Sequence, residues 1–236
     1  MRRTLAILGL VGLVVLAGCG GTAVDEEALN ESAEYDWETE SDVTVTAENS
    51  QYRYVYTLAN DSEIRLSIRD ELLGTQPVPV SAVKFRYENG TVVNASALEV
   101  ERANGNTVVA FPEREGQFAY TSQSTSRTLT VPVVTNRSHE VILPPGMRTT
   151  FPVFGGANPG NYETEIRDDQ AHLRWSSIES DRITVDYYQQ RDLVLFAGLL
   201  GVILVLGGLG YLYYRAQIRT LEEERSEADL DVEDDR

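Results

Sequence analysis

From Val43 onward the chain alternates between apolar and polar positions. Tyr52, Tyr54 and Tyr56 share one face of a two-residue repeat. Ile64, Leu66 and Ile68 alternate with Arg65, Ser67 and Arg69, and Val83, Phe85 and Tyr87 alternate with Lys84 and Arg86. A strand turns successive side chains to opposite faces, so the pattern predicts half-buried β-strands. Further strands are expected at 98–101, 107–111, 117–121, 129–133, 140–143, 162–166, 171–175 and 183–188. Intervals of about 8–12 residues between strands belong to sandwiches and barrels.

Turn chemistry agrees with that count. Asn89-Gly90, followed by Val92-Val93, supplies the positive φ angles of a tight hairpin. Asn104-Gly105 and Asp168-Asp169 are similar joints, and Pro144-Pro145-Gly146 stops a strand. The longest irregular stretch, 151–161, carries Gly155, Gly156, Pro159 and Gly160. It reads as a crossover connection, or as a divider between a main sandwich and a C-terminal pair of hairpins. Before the strands, residues 20–42 hold Glu26, Glu27, Glu31, Glu34, Glu38 and Glu40 among scattered apolar residues. Such a composition predicts a solvated, extended linker.

Two apolar segments break the pattern. Arg2 and Arg3 precede an apolar run at 5–16 and then Leu16-Ala17-Gly18-Cys19, the layout of an export signal with small residues at its cleavage point. Cys19 is the one cysteine, which excludes an internal disulfide framework. It stands where a lipoprotein signal requires a thiol, since a thioether to lipid forms only from sulfur. Residues 1–18 are thus expected to be removed and Cys19 to carry lipid. The paired arginines suit either a twin-arginine or a general secretory route. The second segment, 193–214, runs 22 residues without a charge, about 33 Å as a helix and enough to cross a hydrocarbon core. Arg215 and Arg219 follow it, whereas Arg191 before it is paired with Asp192, so the positive-inside rule puts the C-terminus in the cytoplasm. Tyr187 and Tyr188 on one side, and Tyr211, Tyr213 and Tyr214 on the other, stand where aromatic belts meet headgroups. Ala197, Gly201 and Gly208 form a small-residue pattern that permits close approach of another helix.

Charge narrows the function classes. There are 20 basic and 37 acidic residues, net −17, and Lys84 is the single lysine. A polyanion is repelled by such a surface, which argues against nucleic acid. The tail 215–236 is acidic and is read as a solubilising cytoplasmic end. Asn-x-Ser/Thr sequons occur at Asn30, Asn60, Asn89, Asn94 and Asn136, all in the segment expected outside the cell. No nucleophile elbow, phosphate-cradling loop or His-Glu-x-x-His is present, and His139 and His172 have no cysteine partner for a zinc site. His172 alternates with Ala171 and Leu173, so it is expected to face solvent. No catalytic residue, metal or cofactor is called, and the chain is read as a non-enzyme.

Excess acid with almost no lysine resembles a halophilic archaeal protein. The lipobox, the run Val83-Lys84-Phe85-Arg86-Tyr87-Glu88-Asn89-Gly90-Thr91-Val92-Val93-Asn94-Ala95-Ser96, and the run Ile183-Thr184-Val185-Asp186-Tyr187-Tyr188-Gln189-Gln190-Arg191-Asp192-Leu193 add to that likeness. Together they resemble a haloarchaeal family of surface lipoproteins with a C-terminal transmembrane helix. That family has no assigned activity, so the resemblance implies an address and an architecture and transfers no functional residue.

The expected architecture is all-β: a signal peptide at 1–18, an acidic linker at 19–42, an extracellular sandwich-like β domain of one lobe or two at 43–192, a transmembrane helix at 193–214 and an acidic tail at 215–236. The expected role is that of a membrane-anchored envelope lipoprotein whose partners are the lipid bilayer and an envelope protein or glycan. The alternative is an accessory subunit or sensor acting through its helix and tail. An extracellular hydrolase stays as a third class, because an acidic β surface can hide a carboxylate pair.

Overall fold

A computed structural model of the chain describes residues 24–48, 50–70, 74–123, 128–151 and 154–234. The signal segment 1–18 and Cys19 lie outside the described residues. The chain forms two compact units, Met1–Tyr188 and Gln189–Arg236.

Among the described residues the first unit begins with one helical turn, α1 (Glu26–Leu29), whose N-terminus is capped by Asp25 accepting from the backbone N–H groups of Glu27 and Ala28. The strands that follow are β1 (Val43–Ala47), β2 (Gln51–Ala59), β3 (Glu63–Asp70), β4 (Gly74–Pro77), β5 (Ser81–Arg86), β6 (Val92–Asn94), β7 (Glu99–Ala103), β8 (Asn106–Ala110), β9 (Glu115–Gln123), β10 (Thr128–Pro132), β11 (His139–Ile142), β12 (Met147–Arg148), β13 (Gly156–Asn158), β14 (Glu163–Arg167), β15 (Gln170–Trp175), β16 (Arg182–Asp186) and β17 (Tyr188–Gln189). An eight-stranded sheet runs in the order β14-β15-β11-β1-β2-β9-β5-β6. A four-stranded sheet is ordered β4-β3-β8-β7, a three-stranded sheet β10-β16-β13, and β12 pairs with β17.

All neighbours in the large sheet are antiparallel except β1 and β11, where Val43 lies beside His139 and Val45 beside Val141. One face of this sheet meets the others in a single hydrophobic cluster. The large sheet contributes Val43, Val45, Tyr54, Tyr56, Phe85, Phe118, Tyr120, Leu173 and Trp175; the four-stranded sheet adds Leu66 and Val109, and the three-stranded sheet Leu129, Val131, Ile183 and Val185. Full burial of one such side chain contributes roughly 1.5–3 kcal/mol. Tyr54 and Tyr120 are cross-strand partners whose rings stack 4.5 Å apart. Segment 151–161 does not divide two lobes. β13 within it pairs with β16, and β14 and β15 extend the large sheet with Leu173 opposite Val141. Both of those residues are fully buried, so parting the elements would open the shared core.

Two of the predicted joints adopt positive φ at both residues: Asn104-Gly105 at 52° and 76°, and Asp168-Asp169 at 48° and 63°. At Asn89-Gly90 only Gly90 does, at 85°. Asn89 acts through its side chain instead, accepting the Thr91 N–H at 2.9 Å.

The second unit is one helix, α2 (Gln190–Asp234), of 45 residues. It continues past 214 through the acidic tail, where Glu, Arg, Leu and Ala favour helix over a solvated coil. Tyr187 is not part of an aromatic belt: it is buried in the core of the first unit.

Candidate functional site

The alternation that aims Val43, Val45, Val141, Leu173 and Trp175 inward aims every intervening residue outward. Register then aligns them in rows. Glu163 lies beside Arg174, Arg174 beside Glu140, Glu140 beside Thr44 and Thr44 beside Val55. In the next row, Glu165 lies beside His172, His172 beside Ile142, Ile142 beside Thr46 and Thr46 beside Arg53. The outer face of the large sheet is therefore a lattice of ionisable and hydroxyl groups interrupted by Val55, Ala119 and Ile142.

Residues 33–40 cross this face as a strap. The acidic stretch is extended, as expected, but it is not solvated along its length. Tyr35 is buried against Val55 and Ala119, with Ala33 and Trp37 packed beside them. Its hydroxyl donates to Ala82 O at 2.7 Å and lies 2.8 Å from Thr121 Oγ1. Burial pushes the Tyr35 phenol up to about 12. Lys84 Nζ donates to Ala33 O at 2.5 Å, Gln117 Nε2 to Trp37 O at 2.8 Å, and Arg86 to Glu38 at 3.0 Å. Ala33, Tyr35, Trp37 and Thr39 alternate inward between exposed acids, and that period of two is the signal that composition alone obscured.

Between the strap and the sheet lies a cleft of about 270 Å³. Glu140 is 3 % exposed at its floor, and its Oε1 accepts both His172 Nδ1 and Arg174 Nε at 2.9 Å. His172 does turn away from Ala171 and Leu173, but into this cleft rather than into open solvent. Glu40 of the strap meets Arg167 at 3.0 Å and also pairs with Arg174. Arg167, then Arg174, holds the Glu40 carboxyl below its ordinary value. Arg167 also pairs with Glu165 at 2.7 Å, and Arg53 with Glu48 at 3.1 Å. Among the described residues lining the cleft, Thr44 Oγ1 and Arg53 Nε are buried with no hydrogen-bond partner. The arrangement can hold a carboxylate on guanidinium groups, as it holds Glu40, and has a hydroxyl and a guanidinium N–H to offer a further polar group. No group of three or more His, Cys, Asp or Glu side chains is placed to hold a metal ion among the described residues.

The sequence singled out none of these cleft residues as a site. The sites it did single out lie elsewhere. Asn30, Asn60, Asn89, Asn94 and Asn136 are all exposed. Asn30 donates to Glu26 O, Asn60 accepts from Arg114, and Asn136 accepts the Ile178 N–H at 2.9 Å. On α2, Ala197, Gly201 and Gly208 fall within about 40° of one another at 100° per residue, and their surfaces are exposed. The first 30 residues of α2, Gln190–Arg219, are long and apolar enough to cross a membrane.

A family model described as a family of unknown function (DUF5803) matches residues 39–233. No curated protein and no solved structure matches the chain.

Proposed function

The chain belongs to DUF5803, a family of unknown function, and from that premise we propose that it is a non-enzymatic, membrane-anchored envelope lipoprotein whose exported β domain binds a cell-surface partner. The observation that carries this reading is the helix. Gln190–Arg219 is long and apolar enough to cross a membrane, its side chains from Val194 on are exposed, and it follows directly on a β unit that has closed its own core. A run of 22 uncharged, largely apolar residues, 193–214, is better accommodated by a hydrocarbon core than by water.

Arg215 and Arg219 support a cytoplasmic C-terminus, which leaves residues 20–192 outside. Lipid on Cys19 tethers the other end, and the five exposed sequons suit an external surface. Four sheets around one core support a sandwich-like layering of the domain. The cleft supports a binding role through Thr44 Oγ1 and Arg53 Nε, which are buried there without a hydrogen-bond partner. The acidic surface fits the halophilic setting implied by the resemblance.

A second reading, an accessory subunit or sensor, is favoured by one feature: α2 stays helical to Asp234, 15 residues past the apolar span. Crosslinking in living cells separates the two. With 193–214 replaced by an unrelated apolar 22-mer that keeps Arg215 and Arg219, partner crosslinks made by the β domain should persist. Their loss, or loss of co-purification with Gly201→Leu alone while insertion is normal, overturns the surface-binding reading in favour of the membrane subunit.

A further inference from the structure

Arg167 lies beside Gln170 at one end of the β14–β15 pair and Arg174 beside Glu163 at the other, yet both guanidinium groups reach the same carboxylate. Glu40 Oε1 accepts from Arg167 at 3.0 Å, and Glu40 Oε2 pairs with Arg174. Each arginine is also held by the sheet itself, Arg167 by Glu165 at 2.7 Å and Arg174 through Nε by Glu140 at 2.9 Å. The two-arginine seat is therefore built without Glu40. A seat fixed in advance takes a carboxylate with less ordering to offset.

Glu40 is poorly suited to be its permanent occupant. The side chain is 59 % exposed, and an exposed ion pair adds little to stability. Backbone on either side is pinned, where Trp37 O accepts Gln117 Nε2 at 2.8 Å and Asp42 O accepts the Thr57 N–H at 2.7 Å. Rotation of one side chain thus frees the seat without unfastening the strap. The same cleft, about 270 Å³, is lined by Thr44 and Arg53. Thr44 Oγ1 and Arg53 Nε are buried there without a hydrogen-bond partner, although Arg53 pairs through Nη1 with Glu48 at 3.1 Å. Two buried donors left open cost their desolvation until an acceptor reaches them.

A ligand that fits both features carries a carboxylate for the arginines and neighbouring hydroxyl oxygens for Thr44 and Arg53. An acidic sugar has this composition. An acidic peptide also has the carboxylate, but Asp36 and Glu38, both exposed, line the cleft as well. Their carboxylates repel a run of like charge, whereas they accept hydrogen bonds from sugar hydroxyls. We propose that the cleft binds the carboxylate of an acidic sugar borne on a surface glycan, and that Glu40 is a built-in competitor holding the arginine seat until that sugar arrives. The inference rests on the surface-binding reading and names the chemistry of its partner.

Calorimetric titration of the full-length chain in detergent, at one fixed KCl concentration, tests this with methyl glucuronide as the probe. It should bind about tenfold more tightly than methyl glucoside, which lacks the carboxylate, than acetate, which lacks the ring, and than triglutamate. Arg167→Gln should weaken glucuronide binding about tenfold and Thr44→Val about threefold, whereas Glu40→Gln should tighten it about threefold because the competitor is gone. That opposite sign separates a competitor from a residue that only shapes the cleft, whose substitution would lower affinity. Unchanged or weaker binding by Glu40→Gln overturns the competitor role, and equal affinity for acetate or triglutamate overturns the sugar. Absence of binding by both wild-type and Glu40→Gln protein, each with native circular dichroism, overturns the site. Partner crosslinks of the β domain that persist in that case leave the surface-binding reading standing; their loss in the helix-swapped chain removes that reading independently.

Discussion

The core face of the eight-stranded sheet carries Tyr54, Phe118, Tyr120, Leu173 and Trp175; one residue along the same strands, the outer face carries Arg53, Gln117, Thr121, His172 and Arg174. The two faces share a backbone and a register but are stabilised by different physics. Inside, area removed from water does the work, and any well-shaped apolar neighbour suffices. Outside, buried polar groups require named partners, because an unpaired one costs its full desolvation. The outer face is therefore completed by a segment from elsewhere in the chain, the strap, which supplies Tyr35 to its hydroxyl and carbonyl partners and Glu40 to two arginines.

The largest effect should come from the inner face. Phe118→Ala is expected to destabilise the detergent-solubilised full-length chain by about 3–5 kcal/mol in denaturant unfolding followed by tryptophan fluorescence, since Phe118 is fully buried. A loss under about 1 kcal/mol would erase the contrast between the faces. Glu140→Ala comes next, at about 1–3 kcal/mol, because it strips the acceptor from Arg174 and His172. Glu140→Gln keeps an oxygen there and should cost less than half as much; equal losses would mean that shape rather than polar pairing matters on this face.

A smaller, pH-dependent loss distinguishes the faces again. His139 lies fully buried among the core-facing residues, and burial lowers its pKa from the ordinary 6.5. The unfolded chain then takes up the proton first. This contribution is complete above pH 6.5 and declines as pH falls through 6.5 toward the folded value. Glu40 adds a second decline as pH falls below 4.5, because its carboxylate is favoured by Arg167 and Arg174 in the folded state. His139→Gln should flatten the first decline and leave the second; a profile unchanged by the substitution would contradict the assignment. Smallest of all is strap release. Tyr35→Phe should cost about 1 kcal/mol, and Glu40→Gln, at an exposed position, should abolish the decline below pH 4.5, lower the melting point at neutral pH only slightly and speed proteolysis within 31–42.

Much of the inner face was legible in the sequence, because burial of one face imposes a period of two that Tyr52, Tyr54 and Tyr56 or Ala171, Leu173 and Trp175 display directly. Hairpins at Asn104-Gly105 and Asp168-Asp169 were legible for the same local reason, their backbone demands. The parallel pairing of β1 with β11 was not, since it joins residues about a hundred positions apart and no local signal marks it. That single pairing brings Thr44 to Glu140 and hence builds the cleft, so the site stayed hidden although each of its residues sat visibly on the polar side of a strand. Residues 31–40 were misjudged because their acids dominate the composition, while the inward row Ala33, Tyr35, Trp37 and Thr39 was short and preceded the regular strands.

The central claim, that α2 anchors an exported β domain with its C-terminus inside, is tested most directly by protease added to intact cells expressing the full chain with an epitope fused after Arg236. The account predicts cleavage between residues 24 and 188 with the epitope spared until the cells are lysed. Loss of the epitope from intact cells, or a β domain that resists protease until lysis, would contradict it.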